Sequence, residues 1–248
     1  MPDKLQVAEK LQNEDLKTAI KENRATEWIS ANYSKLCEMD KMLLQLILTS
    51  EEQYALQDAT SNPEGDPSKS LYLRDSQNIV KYFLGNLDRL SSRDDYEETL
   101  VYVWVKGEYG QFTPEDWADA FARADSQKLL MAGSKLPKKV QRKDGKITVY
   151  QGGNMGGDCR YNSWTTDKNV AIKFAWMKWR QFDEHGSFIG FLIYSNPTVY
   201  KATICVDDIL FYTNMRKEHE IVVKTDKIPT DIQAILTWDR KTDKCPRV

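Results

Sequence analysis

The chain has 248 residues, 29% of them charged, with a formal net charge of −2 and four cysteines. That length can bury a real core in one large domain or two ordinary ones, and the even charge balance excludes the overall basic excess of a general nucleic-acid binder. Cys37, Cys159, Cys205 and Cys245 lack Cys-x-x-Cys spacing and have only His185 and His219 to join them, so no zinc site assembles. The opening MPDKLQVAEK lacks the apolar stretch of a signal peptide, and no run approaches the roughly 18 apolar residues of a membrane span. The expected setting is a reducing cytoplasm without a membrane partner.

In chain order, residues 4 to 59 read as helical. Leu5, Ala8, Leu11, Leu16 and Ile20 keep a spacing of three or four, and Ile29, Leu36, Met39, Leu43, Leu46 and Ile47 continue it. The stretch Ser61-Asn62-Pro63-Glu64-Gly65-Asp66-Pro67-Ser68 cannot carry a helix onward and reads as a surface loop. Ile79, Tyr82, Phe83 and Leu87 mark a further amphipathic helix, followed by another candidate element from Tyr96 to Val105. Thr113-Pro114-Glu115-Asp116 is a strong helix start, with a capping hydroxyl, proline in the first turn and acids at the positive end of the dipole. Trp117, Phe121 and Ala124 form the apolar stripe of that helix.

After Leu136-Pro137 the pattern changes to short strands. Lys135, Lys138, Lys139, Arg142, Lys143 and Lys146 cluster there and read as a solvated linker. Ile147 to Gln151 alternates as a strand, Gly152-Gly153 and Gly156-Gly157 punctuate a bend, and Tyr161 to Thr165 gives a second strand. Thr166 or Asp167 then caps a helix with Val170, Ala171, Phe174 and Ala175 on its apolar side. Phe188 to Tyr194 and Val199 to Val206 read as β with an Asn196-Pro197 turn between them, followed by Ile209 to Tyr212, Glu220 to Lys224 and Ile232 to Trp238. The expected class is α+β: a helical half, 1–135, joined to a mixed half, 136–248.

Three elements of the second half carry chemistry in a fixed order: Tyr150-Gln151-Gly152-Gly153, then Ser163-Trp164-Thr165-Thr166-Asp167, then Glu218-His219-Glu220 ahead of Ile221-Val222-Val223. In this order and at these separations the chain resembles the ADP-ribosyltransferase family, whose elements carry an arginine, a Ser-x-Ser/Thr signature and a catalytic glutamate. The resemblance covers about the last 110 residues and implies a mainly antiparallel β core that uses NAD as substrate. It makes Glu220 the catalytic carboxylate beside the ribose, Ser163 its orienting partner, and Glu218 the group that orients or deprotonates the acceptor. It also implies nucleotide contacts from Tyr150, Gln151, Gly152, Trp164 and Thr165, with Tyr212 a further stacking candidate. The sequence departs at Gln151, where the family has arginine. A glutamine cannot neutralise a pyrophosphate, so a nearby cation must substitute or nucleotide binding is altered. Arg160, Lys168 and Arg216 are the local possibilities.

On a strand, residues two apart share a face, so Glu218 and Glu220 are expected to project together and His219 away from them. The implied activity is mono-ADP-ribosylation of an intracellular macromolecule, in the setting of a bacterial toxin or a phage or anti-phage effector. Near-neutral charge favours a protein acceptor over nucleic acid. The alternative that Gln151 raises is a degenerate relative of the same fold acting as a binding module. A third reading makes the helical half the active part, engaging an antitoxin or other partner protein.

Overall fold

The computed structural model describes residues 7–22, 25–32, 35–48, 53–54, 57, 61–62, 65–76, 78–107, 113–141, 143–154, 162–182 and 188–246. Contacts divide the chain into two units, Met1–Asp75 and Ser76–Val248. Among the described residues no helix is long and apolar enough to cross a membrane.

In the first unit, helices α1 (Glu14–Lys21), α2 (Ala25–Asn32) and α3 (Glu38–Ile47) bury Leu11, Leu16, Ile20, Ile29 and Leu44 in one cluster. Asn13 caps α1 by accepting the Leu16 N–H at 2.9 Å. Asp40, 1% exposed, accepts the backbone N–H groups of Gln12 and Asn13, which anchors the approach to α1. Part of the expected loop at 61–68 is helical instead: Asp66 caps α4 (Pro67–Tyr72), and Pro67 occupies a first-turn position that needs no N–H donor.

The second unit joins helices to a sheet. Helices α5 (Ile79–Gly85), α6 (Leu87–Leu90), α7 (Tyr96–Lys106), α8 (Pro114–Arg123) and α9 (Ser126–Ala132) precede the strands. The expected start of α8 is built as a capping box, with the Asp116 N–H donating to Thr113 Oγ1 and the Thr113 N–H donating to Asp116 Oδ2. Phe83, Tyr96, Trp104, Trp117 and Phe121 from α5, α7 and α8 form one aromatic cluster. Trp104 and Trp117 meet edge-on at 4.8 Å between ring centres.

The strands are β1 (Lys146–Asn154), β2 (Ser163–Thr165), β3 (Lys178–Phe182), β4 (Phe188–Ile193), β5 (Pro197–Cys205), β6 (Ile209–Thr213), β7 (Glu220–Val223) and β8 (Gln233–Thr237). Six of them form an antiparallel sheet in the order β6-β7-β2-β1-β5-β8, so the fold is α+β. β3 and β4 make a separate two-stranded ribbon; the strand at Lys178–Phe182 was not expected, since no glycine or proline separates it from the preceding helix. That helix, α10 (Lys168–Trp176), is capped by Asp167, the second of the two residues expected there, whose side chain accepts the Asn169 N–H.

Phe211 of β6 stands edge-on to Trp104 at 6.1 Å, and α9 packs on both β6 and α7. The change of periodicity near residue 136 therefore falls inside the second unit. The contact-based division lies instead at Asp75/Ser76.

Candidate functional site

Register along three neighbouring strands sorts the side chains. Thr165 pairs with Glu220, Trp164 with Ile221 and Ser163 with Val222; across the next ladder Thr213 pairs with Glu220 and Tyr212 with Ile221. Alternation then places Ser163, Thr165, Glu220, Val222, Phe211 and Thr213 on one face, and Trp164, Ile221, Val223 and Tyr212 on the other. The second set joins Ile147, Val149, Ala202 and Ile204 in an apolar core.

Glu220, 5% exposed, opens β7. Its Oε1 accepts two hydrogen bonds, from Ser163 Oγ at 2.5 Å and from Trp104 Nε1 at 3.0 Å. Hydrogen bonds to an ionised group contribute about 1.5–3 kcal/mol each, which offsets much of the cost of burying the carboxylate. Both lie on one oxygen, while Oε2 faces the Arg216 guanidinium at 3.9 Å. The expected Ser163–Glu220 pairing is thus made. Trp104 escaped the sequence reading because it sits in an apolar helical run and lies 116 residues from its acceptor.

Glu218 is not on a strand. The chain turns between β6 and β7, with Lys217 at φ 60° and His219 at φ 48°, so the period-two expectation for Glu218 and Glu220 does not apply. The turn is held by several bonds: Lys217 N–H to the Asn214 carbonyl, His219 N–H to Asn214 Oδ1, Thr166 N–H to the His219 carbonyl and Thr165 Oγ1 to the Glu218 carbonyl at 2.6 Å. Arg216 Nε meets Glu218 Oε2 at 3.1 Å and thereby links the two carboxylates. Burial pushes the Glu218 carboxyl above its ordinary value; Arg216 opposes the shift and the Glu220 charge adds to it. His219 Nδ1 lies 2.9 Å from the Tyr212 hydroxyl, whose own proton is held more tightly because of burial.

The remaining expected site residues divide. Gln151 donates from Nε2 to the Ser163 carbonyl at 2.9 Å, where it supports β2. Gly152 is required by packing, since a Cβ there would lie 2.2 Å from the Ala171 carbonyl oxygen and 2.5 Å from the Ala175 nitrogen of α10. Tyr150 packs, half-buried, beside Ala171, Ile172 and Val199. Thr165 braces the turn, as above. Trp164, 1% exposed, and Tyr212, 3% exposed, lie in the apolar core on the face away from Glu220, so the stacking role expected of them is not met: alternation turns both rings inward. Lys168 is exposed at the start of α10. Arg160, Gly156-Gly157 and His185 lie outside the described residues.

Among the described residues no group of three or more His, Cys, Asp or Glu side chains is arranged to hold a metal ion. What the arrangement offers is a fixed, buried carboxylate with one oxygen saturated and a second carboxylate beside it, joined by a guanidinium. Such a group stabilises positive charge developing next to it. Comparison with protein-family models, with curated proteins and with solved structures finds no match to this chain.

Proposed function

We propose that this chain is an NAD-dependent mono-ADP-ribosyltransferase with an ADP-ribosyltransferase-like core. The observation that carries the reading is the Glu220 carboxylate, buried and held through Oε1 by Ser163 and Trp104. As the bond between nicotinamide and ribose lengthens, the ribose carbon takes on oxocarbenium character, and a carboxylate fixed beside it lowers that barrier as in glycosidases. In this reading Glu220 Oε2 takes the role, because Oε1 already accepts two bonds. Glu218, whose raised proton affinity comes first from burial, accepts the proton that the acceptor gives up.

The test is incubation of the protein with NAD labelled in its adenylate part, in the presence of a cell lysate. Transfer of label by the wild type, falling about 100- to 1,000-fold in Glu220→Gln at an unchanged melting temperature, is the expected result. Equal label transfer by the two proteins would sink the proposal.

A second reading is a binding module on the same fold, favoured by one observation. The amide at position 151 is engaged with the Ser163 carbonyl and carries no charge toward a pyrophosphate. Absence of label transfer, with NAD also leaving the melting temperature unchanged, would select it.

A further inference from the structure

Arg216 stands out in the turn between β6 and β7. Its guanidinium bridges the two carboxylates, with Nε on Glu218 at 3.1 Å and Nη2 at 3.9 Å from Glu220 Oε2, the oxygen left to face a ribose. The turn that holds it there uses two non-glycine residues in the left-handed region, Lys217 and His219. Each costs about 1–3 kcal/mol. A half-exposed ion pair returns only about 0–1 kcal/mol, so the ion pair does not by itself account for the conformation. The hydrogen bonds that Thr165 and Thr166 donate and that Asn214 accepts hold the strained turn, which fixes a nitrogen nucleophile beside the proposed electrophile's position.

We propose that Arg216 is an acceptor of this site, modified by the chain's own bound NAD. The inference rests on the NAD-cleaving reading above. In the step, a guanidinium nitrogen of Arg216 forms a bond to the ribose C1′ of NAD. The bond from C1′ to the nicotinamide nitrogen breaks, and its electron pair leaves with neutral nicotinamide. The proton displaced from the attacking nitrogen passes to the Glu218 carboxylate, which holds that nitrogen's guanidinium and favours the proton because of its burial. Acceptor and carboxylate belong to one turn, so the transfer occurs within a single molecule.

The full chain is incubated with NAD alone; nicotinamide release is followed, and peptides spanning Arg216 are examined by mass spectrometry for an ADP-ribosyl adduct. The expected adduct sits on Arg216 and forms with a first-order rate constant that is unchanged on roughly tenfold dilution, because the reacting groups are already held together. It is absent from Arg216→Lys and from Glu220→Gln, each checked for an unchanged melting temperature. Nicotinamide release without an adduct on Arg216, or an adduct whose rate constant falls in proportion to protein concentration, would overturn the inference and leave the NAD-cleaving reading standing. No nicotinamide release with NAD alone would overturn the inference, and the NAD-cleaving reading falls only if label transfer in the presence of a lysate is absent as well. The wild-type measurement decides the matter even where a variant fails to fold.

Discussion

The two faces of the six-stranded sheet come from the same strands, offset by one residue. On one, Val149, Trp164, Ala202, Ile221 and Val223 pack into an apolar core. On the other, Ser163 and Glu220 are bonded to each other, with α10 packed over Tyr150 and Gly152 toward β1. Trp104 reaches down from α7 beside Phe211 toward β6. The first face is held by area removed from water, which tolerates any well-packed apolar set. The second is held by directed bonds to one carboxylate, and loses its meaning if any donor is misplaced. A residue's neighbours in sequence are thus a poor guide to its role here: Trp164 lies between Ser163 and Thr165 and belongs to the opposite layer.

Substitutions on the two faces should separate stability from activity. The largest effect is expected for Trp164→Ala, which empties a fully buried site in the apolar core and should cost about 3–5 kcal/mol in urea denaturation. A Trp164→Ala protein of wild-type stability that had lost NAD cleavage would break the contrast, by returning this ring to the ligand. Trp104→Phe keeps an aromatic ring in the cluster and removes one donor from Glu220 Oε1. Turnover should fall about tenfold, equivalent to about 1.4 kcal/mol, with KM little changed; unaltered turnover would make Trp104 a packing residue only.

The smallest effect concerns pH. The Glu218 carboxyl is shifted upward in the folded protein, by burial first. The neutral carboxyl is the form that folding favours. Its stabilising contribution is therefore complete below the unfolded-state value and is lost as pH rises through the higher folded-state value. Glu218→Gln cannot ionise, so its melting temperature should gain on the wild type across that interval. A difference independent of pH would remove burial as the dominant cause.

Much of the local structure was legible in the sequence. Thr113-Pro114-Glu115-Asp116 encodes its own helix start, and the capping box forms between the expected hydroxyl and acid. The spacing of Ile147 to Gln151 marks β1, and the short run ending at Thr165 marks β2. The link between Ser163 and Glu220 was legible only through the order of three motifs, because the two lie 57 residues apart. The turn at Glu218 was misread for a local reason. Alternation assumes extended backbone, and the left-handed conformations of Lys217 and His219 break it without a glycine to announce them.

By itself the sequence determined what short-range physics governs: where helices begin, which residues alternate along a strand, and an α+β composition. Tertiary structure alone decided which face of each strand meets the core, that Trp104 completes the hold on Glu220, and that Arg216 joins the two carboxylates. The reason is that capping and alternation involve neighbours within a few residues. The placement of a donor against a carboxylate 116 residues away depends on how helices and sheet pack together.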